Sequence, residues 1–288
     1  MFLFAMKMLQ RKYMNNNELP IGLFDSGVGG LTVLAAVRDR LPGESILYLG
    51  DTARLPYGAK SPATIRRYAL QCAEKLAERG IKMLVVACNT ASAVALDALA
   101  ERFPGLPVLG VVEPGAAAGC VTSNSGRIAV IGTKSTIEGG AYQRAILSRR
   151  NDARITALPC PLFVPLAEEG LTGGPIAEAV AAHYLGPVFA GERSPDRPDC
   201  LVLGCTHFPL LKETIAKIVG REVLLVDSAA TAAVEVEKIL RGQSLAAFDG
   251  APLSTRFLTT DDPGRFAATG GRFLGMDIRP DSVELVDL

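Results

Sequence analysis

The sequence has little of what several common functions need. Among its 288 residues only 6% are aromatic, and thirty basic residues cancel thirty acidic ones. A balanced charge gives no electrostatic reason to bind nucleic acid or an anionic membrane. No basic run is interleaved with aromatic side chains on which bases could stack. We therefore expect no nucleic-acid partner.

Cysteine and histidine are also scarce. The six cysteines are too few for a disulfide framework in a chain of this length, which is typical of reduced thiols in a cytoplasmic protein. The chain has only two histidines, and neither CxxC nor HxxxH spacing occurs. We therefore expect no metal site.

Long hydrophobic runs are missing too. The first twenty residues, MFLFAMKMLQRKYMNNNELP, contain a short apolar stretch that Lys7 interrupts, and no small-residue cleavage site follows it. This stretch is too short for a spanning helix and has the wrong order for a signal peptide. We expect no membrane association, and we treat residues 1–19 as an N-terminal extension.

What the sequence does have is a regular alternation of short apolar runs and amphipathic stretches, in a composition that is 49% hydrophobic. This alternation predicts an α/β fold of doubly wound parallel sheets, with helices on both faces. Strands are predicted at 21–24, 45–49, 83–87, 107–112, 127–131, 154–158, 200–203, 222–226 and 255–259. Helices are predicted at 31–40, 63–79, 91–102, 140–150, 176–189, 208–219, 229–241 and 266–274.

The strand–helix cycle runs twice, which predicts two similar domains related by pseudo-symmetry. Residues 20–113 with 227–288 form the first domain, and residues 114–226 form the second. The Asp25-Ser26 turn corresponds to a polar turn at 133–137, and Cys88 corresponds to Cys205. Ligands bind beyond the carboxyl ends of such strands, so both cysteines should face one cleft between the domains.

The two cysteines stand in matching contexts, VVACNTAS at 85–92 and LVLGCTHF at 201–208. A thiol at the start of a helix lies near the positive end of the dipole, which predicts a pKa lowered from about 8.5 towards neutrality. Two facing thiols suit racemisation without a cofactor, because one can remove a proton from a carbon while the other supplies a proton to the opposite face.

The neighbouring side chains fit this chemistry. His207 can exchange a proton with Cys205, and Asp25 can do the same for Cys88. Short polar side chains at helix starts are suited to holding carboxylates, namely Ser26, Asn89, Thr90 and Thr206. The alternatives are that the cysteines are small core residues and that the Asp25 turn only caps a helix.

Seven stretches carry a resemblance to a known family. In chain order they are IGLFDSGVGGLTVL, LGDTARLPYGAKS, VVACNTASA, VIGTKST, PLFVPLAEEG, LGCTHFPLL and VDSA. Together they resemble the glutamate racemases of the aspartate/glutamate racemase superfamily. The resemblance implies cofactor-independent interconversion of L- and D-glutamate, with D-glutamate supplied for peptidoglycan, and it implies a homodimer.

The resemblance also implies roles for individual residues. Cys88 would be the base for D-glutamate and Cys205 the base for L-glutamate, assisted by Asp25 and His207 respectively. Glu168 would contribute as an acidic residue of the second half, with Glu169 as the alternative register. Besides Asp25, His207 and the two cysteines, the implied substrate contacts are Ser26, Pro56, Tyr57, Gly58, Asn89, Thr90, Thr133, Thr136 and Thr206. Of these, the Tyr57-Gly58 backbone resembles a clamp for the side-chain carboxylate.

Three other functions remain open from the sequence. The first is racemisation or decarboxylation of another substrate on the same scaffold, although decarboxylating relatives keep a single cysteine. The second is a cysteine hydrolase that uses Cys205 with His207. The third is a non-enzymatic binder of dicarboxylates. Only racemisation requires Cys88 as well as Cys205.

Overall fold

The computed structural model describes residues 16–190, 196–248 and 253–288, and within them the chain forms two parallel β-sheets covered by helices. The strands are β1 (Ile21–Asp25), β2 (Ile46–Gly50), β3 (Met83–Val86), β4 (Val108–Gly110), β5 (Arg127–Gly132), β6 (Arg154–Pro159), β7 (Cys200–Gly204), β8 (Leu224–Asp227), β9 (Thr255–Thr259) and β10 (Val283–Leu285).

The helices alternate with these strands. They are α1 (Leu31–Arg40), α2 (Pro62–Glu78), α3 (Asn89–Arg102), α4 (Val112–Thr122), α5 (Lys134–Glu138), α6 (Ala141–Arg149), α7 (Phe163–Glu168), α8 (Gly174–Phe189), α9 (Lys212–Val219), α10 (Ser228–Gly242) and α11 (Pro263–Leu274). Short 3-10 turns occupy Asn16–Glu18, Thr52–Arg54, Tyr57–Ala59, Phe208–Leu211 and Pro280–Ser282.

The two sheets share one topology. The described strands of the first sheet run in the order β10-β9-β2-β1-β3-β4, and those of the second in the order β6-β5-β7-β8. All of these pairings are parallel. The segment β2-β1-β3-β4 therefore has the same arrangement as β6-β5-β7-β8. This agreement confirms the predicted α/β class with two similar doubly wound sheets.

Hydrophobic packing explains why the central strands read as continuous apolar runs. Every residue of β1, β3 and β7 is buried, because helices cover both faces of a parallel sheet. One cluster of buried side chains contains Leu23 of the first sheet and Leu203 of the second, together with Ala232 and Val236 of α10. Helix α10 packs on both α1 and α4 and so connects the two halves.

The structure corrects two predicted elements near the boundary between the halves. The polar turn expected at 133–137 is the short helix α5, which the Thr133 side chain caps by accepting a bond from the Thr136 amide. The strand expected at 107–112 covers only Val108–Gly110, and helix α4 follows it directly. Helix α4 gave no periodic signal because most of its residues are small or apolar and because it contains Pro114 and two glycines.

The ends of the chain add a strand and leave one prediction untested. Beyond the predicted strand and helix of the tail, β10 pairs with β9 and completes the edge of the first sheet. Most of the predicted extension 1–19 lies outside the described residues, and the domain boundaries after residues 113 and 226 stay predictions. No helix in the described part of the chain is long and apolar enough to cross a membrane.

Candidate active site

Two thiols lie at equivalent positions in the two halves. Cys88 follows β3, which neighbours β1, and Cys205 follows β7, which neighbours β5 in the same way. Each cysteine is buried, with 5% of its surface exposed. The two side chains are close enough to interact electrostatically, since Cys205 helps to raise the pKa of Cys88. The structure thus brings together the two cysteines that the sequence paired.

The Cys88 thiol has a higher pKa than its position at a helix start predicted. Burial raises the pKa of Cys88 to about 12, and the Asp25 carboxylate adds to the rise. The Ala91 amide and the Ser26 hydroxyl oppose it, the latter accepting a bond from the thiol at 3.6 Å. The expected lowering is therefore wrong for Cys88, since burial outweighs the effect of the amide at the helix start. At neutral pH this cysteine is a protonated donor.

Asp25 ends β1 within the same site. Its side chain is fully buried, which raises the pKa of its carboxyl group despite the opposing influence of His207 and of backbone amides. Its Oδ2 atom accepts a bond from the Gly27 amide at 2.9 Å. This bond closes a local turn within the loop, whereas the N-cap position of α1 is Gly30, so the capping alternative is not supported. Asp25 instead acts electrostatically on both Cys88 and His207.

Around Cys205 the structure assembles a chain of proton-exchanging groups. His207 Nδ1 lies 3.8 Å from the Cys205 sulfur and 3.4 Å from the Thr206 hydroxyl, and Nε2 lies 3.2 Å from Glu168 Oε1. Burial opposes the charged imidazole. However, the hydrogen bonds to Cys205 and Glu168 outweigh burial and raise the pKa of His207 to about 10. His207 is thus placed to exchange a proton with Cys205 on one side and with Glu168 on the other.

This electrostatic arrangement predicts a pH dependence of stability. The folded-state pKa of His207, about 10, lies above its ordinary value of 6.5, so its contribution is complete below pH 6.5 and is lost as pH rises through about 10. We compare the free energy of unfolding of wild type with that of His207→Gln. The advantage of wild type should shrink by on the order of 1–3 kcal/mol as pH rises from about 6.5 to about 10. Urea unfolding at pH 6, 8 and 10 measures it. His183→Gln at an exposed position controls for the loss of a histidine, and a difference that grows with pH would contradict the assignment.

A glycine allows the two halves to meet at this site. A Cβ atom on Gly29 would lie 2.5 Å from both Cε1 and Nδ1 of His207, and it would also collide with the Thr206 hydroxyl. Beside it, the Thr32 hydroxyl lies 2.9 Å from the Gly29 carbonyl and 3.0 Å from the Thr206 carbonyl. The GVGG stretch is therefore a contact surface for the turn that carries Cys205.

Threonine hydroxyls from both halves also lie close together. The Thr90 hydroxyl lies 3.0 Å from that of Thr133 and 3.1 Å from that of Thr136, which are 3.0 Å from each other. A Cβ on Gly58 would lie 2.8 Å from the Thr133 side chain, so the Tyr57-Gly58 turn packs against the same group. Three hydroxyls at hydrogen-bond distance form a group that can bind a carboxylate.

Two residues of the site are held by partners that the sequence did not indicate. The Asn89 side chain accepts a bond from the Tyr142 hydroxyl at 2.7 Å, and its Nδ2 donor is buried with no partner among the described residues. The Tyr57 side chain is buried in the first half, where its hydroxyl donates a hydrogen bond to the buried Asp51 carboxylate. Tyr142 and Asp51 lie 53 and 6 residues from their partners, and no short motif links them.

The remaining predictions are the absence of a metal site and the choice between Glu168 and Glu169 as the acidic residue. In the described ranges no group of three or more histidine, cysteine or acidic side chains has a geometry that could hold a metal ion. Of the two candidate acidic residues, Glu168 bonds to His207, whereas Glu169 lines a neighbouring cavity without such a bond. The geometry thus favours the first of the two registers.

Comparison with known proteins places this site in context. A profile of the Asp/Glu/Hydantoin racemase family matches residues 32–236. The chain is 49% identical over 255 residues to a glutamate racemase of Geobacter metallireducens, covering 88% of this chain and 92% of that protein. Its fold matches glutamate racemase structures from Bacillus anthracis (TM-score 0.87) and, in complex with D-glutamate, Francisella tularensis (TM-score 0.85), each with 37% identity over 94% of this chain and 98% of the other. The resemblance read from the sequence is thereby confirmed, and the chain belongs to the Asp/Glu/Hydantoin racemase family.

Proposed function

We propose that this enzyme interconverts L- and D-glutamate by a two-thiol mechanism that needs no cofactor. The observation that carries the proposal is the pair of buried thiols at equivalent strand ends, each next to its own proton-exchanging partner. The names of the relatives and the D-glutamate in the Francisella tularensis structure support the choice of substrate. The resemblance further supports a cytoplasmic homodimer that supplies D-glutamate for peptidoglycan.

In the proposed reaction from L- to D-glutamate, Cys205 is the base and Cys88 is the acid. Cys205, as a thiolate beside the His207 imidazolium, takes the α-proton, so an S–H bond forms while the C–H bond breaks. The electron pair of that bond passes onto the α-carbon and its carboxylate. Cys88, which is protonated, then donates its proton to the opposite face of the carbon. The result is inversion with no net consumption of any group.

The reverse reaction requires Cys88 to become the thiolate. The Asp25 carboxyl group can receive its proton, because burial has raised the pKa of that group. A bound substrate also brings its ammonium group into the site, and a nearby positive charge lowers a thiol pKa. The raised pKa of Cys88 is thus compatible with its use as a base while substrate is bound.

The polar groups of the cleft are suited to hold the two carboxylates. We assign one carboxylate to the hydroxyls of Thr90, Thr133 and Thr136 together with the Gly58 backbone. We assign the other to the Asn89 amide, whose buried donor lacks a partner among the described residues, together with Ser26 and Thr206. Ligand oxygens would satisfy these donors, which buried polar groups require.

A low-dielectric site is needed because the α-proton of an amino acid is far less acidic than a thiol with a pKa of about 8.5. Donors fixed before the reaction stabilise the carbanion as it forms, and the exclusion of water strengthens them. The near-complete burial of both thiols fits this requirement.

Tyr57→Phe should weaken substrate binding more than catalysis. The substitution removes the hydroxyl that fixes the Pro56-Tyr57-Gly58 turn to Asp51, so the Gly58 backbone is held less firmly against Thr133. We expect KM for glutamate to rise by about fivefold with kcat within about twofold of wild type. Steady-state kinetics measure both values. Tyr184→Phe, which removes a hydroxyl that accepts a hydrogen bond from the Leu162 amide, is the control. A drop in kcat at constant KM would argue against a binding role for the turn.

The decisive experiment is proton NMR of the purified enzyme with L-glutamate in heavy water, without added pyridoxal phosphate or metal. We expect the α-proton signal to disappear while chiral chromatography detects D-glutamate. Retention of the signal with glutamate, but its loss with aspartate or another amino acid, would move the proposal to a different substrate. Retention with every amino acid tested would overturn racemisation.

A further inference from the structure

The last helix of the first half reaches the acid–base groups of the second half. At the end of α11, Arg272 Nη1 donates to the backbone carbonyl of Glu168 at 2.5 Å. The next residue, Phe273, is buried and meets the His207 ring edge-on, with 5.1 Å between ring centroids and an interplanar angle of 78°. Two consecutive residues of the tail thus touch Glu168 and His207.

The chain on the other side of this contact is shaped to receive the arginine. Gly170 adopts the left-handed conformation (φ 75°), and a Cβ there would lie 3.2 Å from Arg272 Nη1. A side chain at this position would be strained and would also crowd the guanidinium. The turn that ends α7 therefore leaves the Glu168 carbonyl open to a donor from the first half.

The same helix influences the charge of Glu168. The hydrogen bond from His207 lowers the pKa of this carboxyl group, and Arg265 of α11 lowers it further. Arg265 and Arg272 line a cavity of about 160 Å³ together with Glu168. The Glu168 carboxylate is thus favoured by the imidazole of its own half and by Arg265 of the other half, while Arg272 holds its backbone carbonyl.

His207 is enclosed on four sides as a result. Its Nδ1 edge meets Cys205, its Nε2 atom meets Glu168, its ring meets Phe273, and Gly29 lies against its Cε1 edge. Two of these four contacts come from the half that carries Cys88. The orientation of the imidazole therefore depends on how the two halves are docked.

We propose that Arg272 and Phe273 are positioning residues that hold Glu168 and His207 against Cys205, so that the base on this side of the cleft is assembled only when α11 is docked on the second half. This inference rests on the proposed racemisation for its kinetic readout. It gives the tail of the chain a part in the reaction.

The test compares Arg272→Gln and Phe273→Leu with Arg279→Gln, a control in which an exposed arginine loses its ion pair with Asp281. For both test variants we expect kcat to fall by about tenfold while KM changes by less than about twofold, because small misplacements of a catalytic base are costly. Arg272→Lys, which keeps a donor, should recover part of kcat. The control should match wild type.

Imidazole NMR gives a readout that a purely structural role would not move. The chain has two histidines, so the ring-nitrogen signals of His207 can be followed beside those of His183 as an internal reference. The titratable groups that act on His207 are Cys205, Glu168 and Asp25. In Arg272→Gln and Phe273→Leu the titration midpoint of His207 should fall, and the His183 signals should stay unchanged.

Two results would overturn the inference. One is wild-type kcat with an unchanged His207 titration in both variants. The other is a loss of activity that parallels a lower melting temperature while the His207 titration is unchanged, because that pattern shows only weakened folding. Failure of the wild-type enzyme to racemise glutamate would reject the proposed function. The positioning of His207 by Arg272 and Phe273 could still be tested, because the NMR titration does not need turnover.

Discussion

Replacing either thiol alone, Cys88→Ser or Cys205→Ser, is expected to lower kcat for glutamate racemisation by at least about 10³-fold. A serine hydroxyl is too weak an acid to form the anion that removes an α-proton, and it is a poorer proton donor to a carbanion than a thiol. Each half of the reaction needs one of the two groups. The loss should therefore be similar in both directions, since an inversion must use both faces of the carbon.

The single variants also separate the two steps. In heavy water, Cys88→Ser keeps Cys205 and its His207 partner, so slow exchange of the α-proton of L-glutamate without formation of D-glutamate is expected. Cys205→Ser should show the same pattern with D-glutamate. Cys120→Ser, a half-buried cysteine on α4 away from the cleft, is the matched control and should retain full activity. Wild-type racemisation by Cys88→Ser would refute the two-thiol mechanism, and hydrolase activity that survives in this variant would favour the rival assignment to Cys205 and His207.

Much of the fold could be predicted because its signals are local. The central strands are short apolar runs, and a helix follows each of them along the chain. The matched cysteine turns indicated that the strand–helix cycle repeats. The equivalent strand orders β2-β1-β3-β4 and β6-β5-β7-β8 show the same repeat in the two sheets. Helix α4 escaped prediction because its proline and two glycines give it a low helix propensity. Its packing against α6 and α10 stabilises it instead.

The sequence indicates which residues could form the candidate site, but not the electrostatic interactions that act on them. Position at a strand end indicated Cys88, yet its raised pKa follows from burial and from Asp25, which only the folded chain reveals. The contact between Arg272 and Glu168 joins residues 104 positions apart, and the contact between Phe273 and His207 also joins distant parts of the chain. The docking of a helix on the other half leaves no pattern in the sequence. Long-range packing is therefore what the sequence alone did not specify.

Gly29→Ala is expected to lower kcat by at least about 10²-fold, although it adds a single methyl group outside the set of proposed catalytic residues. The new Cβ would lie 2.5 Å from the His207 ring and would collide with Thr206, so the turn that carries Cys205 must move away from the first half. We also expect a loss of stability of about 1–3 kcal/mol from the overpacked contact. Kinetics and urea unfolding on the same preparation measure the two effects.

Gly43→Ala provides the matched control, because nothing lies within 4 Å of a Cβ at that exposed position. It changes the same chemical group and should alter neither kcat nor stability appreciably. The imidazole signals of His207 should shift in Gly29→Ala and stay at their wild-type positions in Gly43→Ala. Full activity of Gly29→Ala would show that His207 and Thr206 can withdraw without loss of function, and the close contact between the GVGG stretch and the Cys205 turn would then not be needed for the reaction. Lost activity with unmoved His207 signals would instead assign the effect to the Asp25 turn on the first half, since Gly29 lies in the loop that follows it.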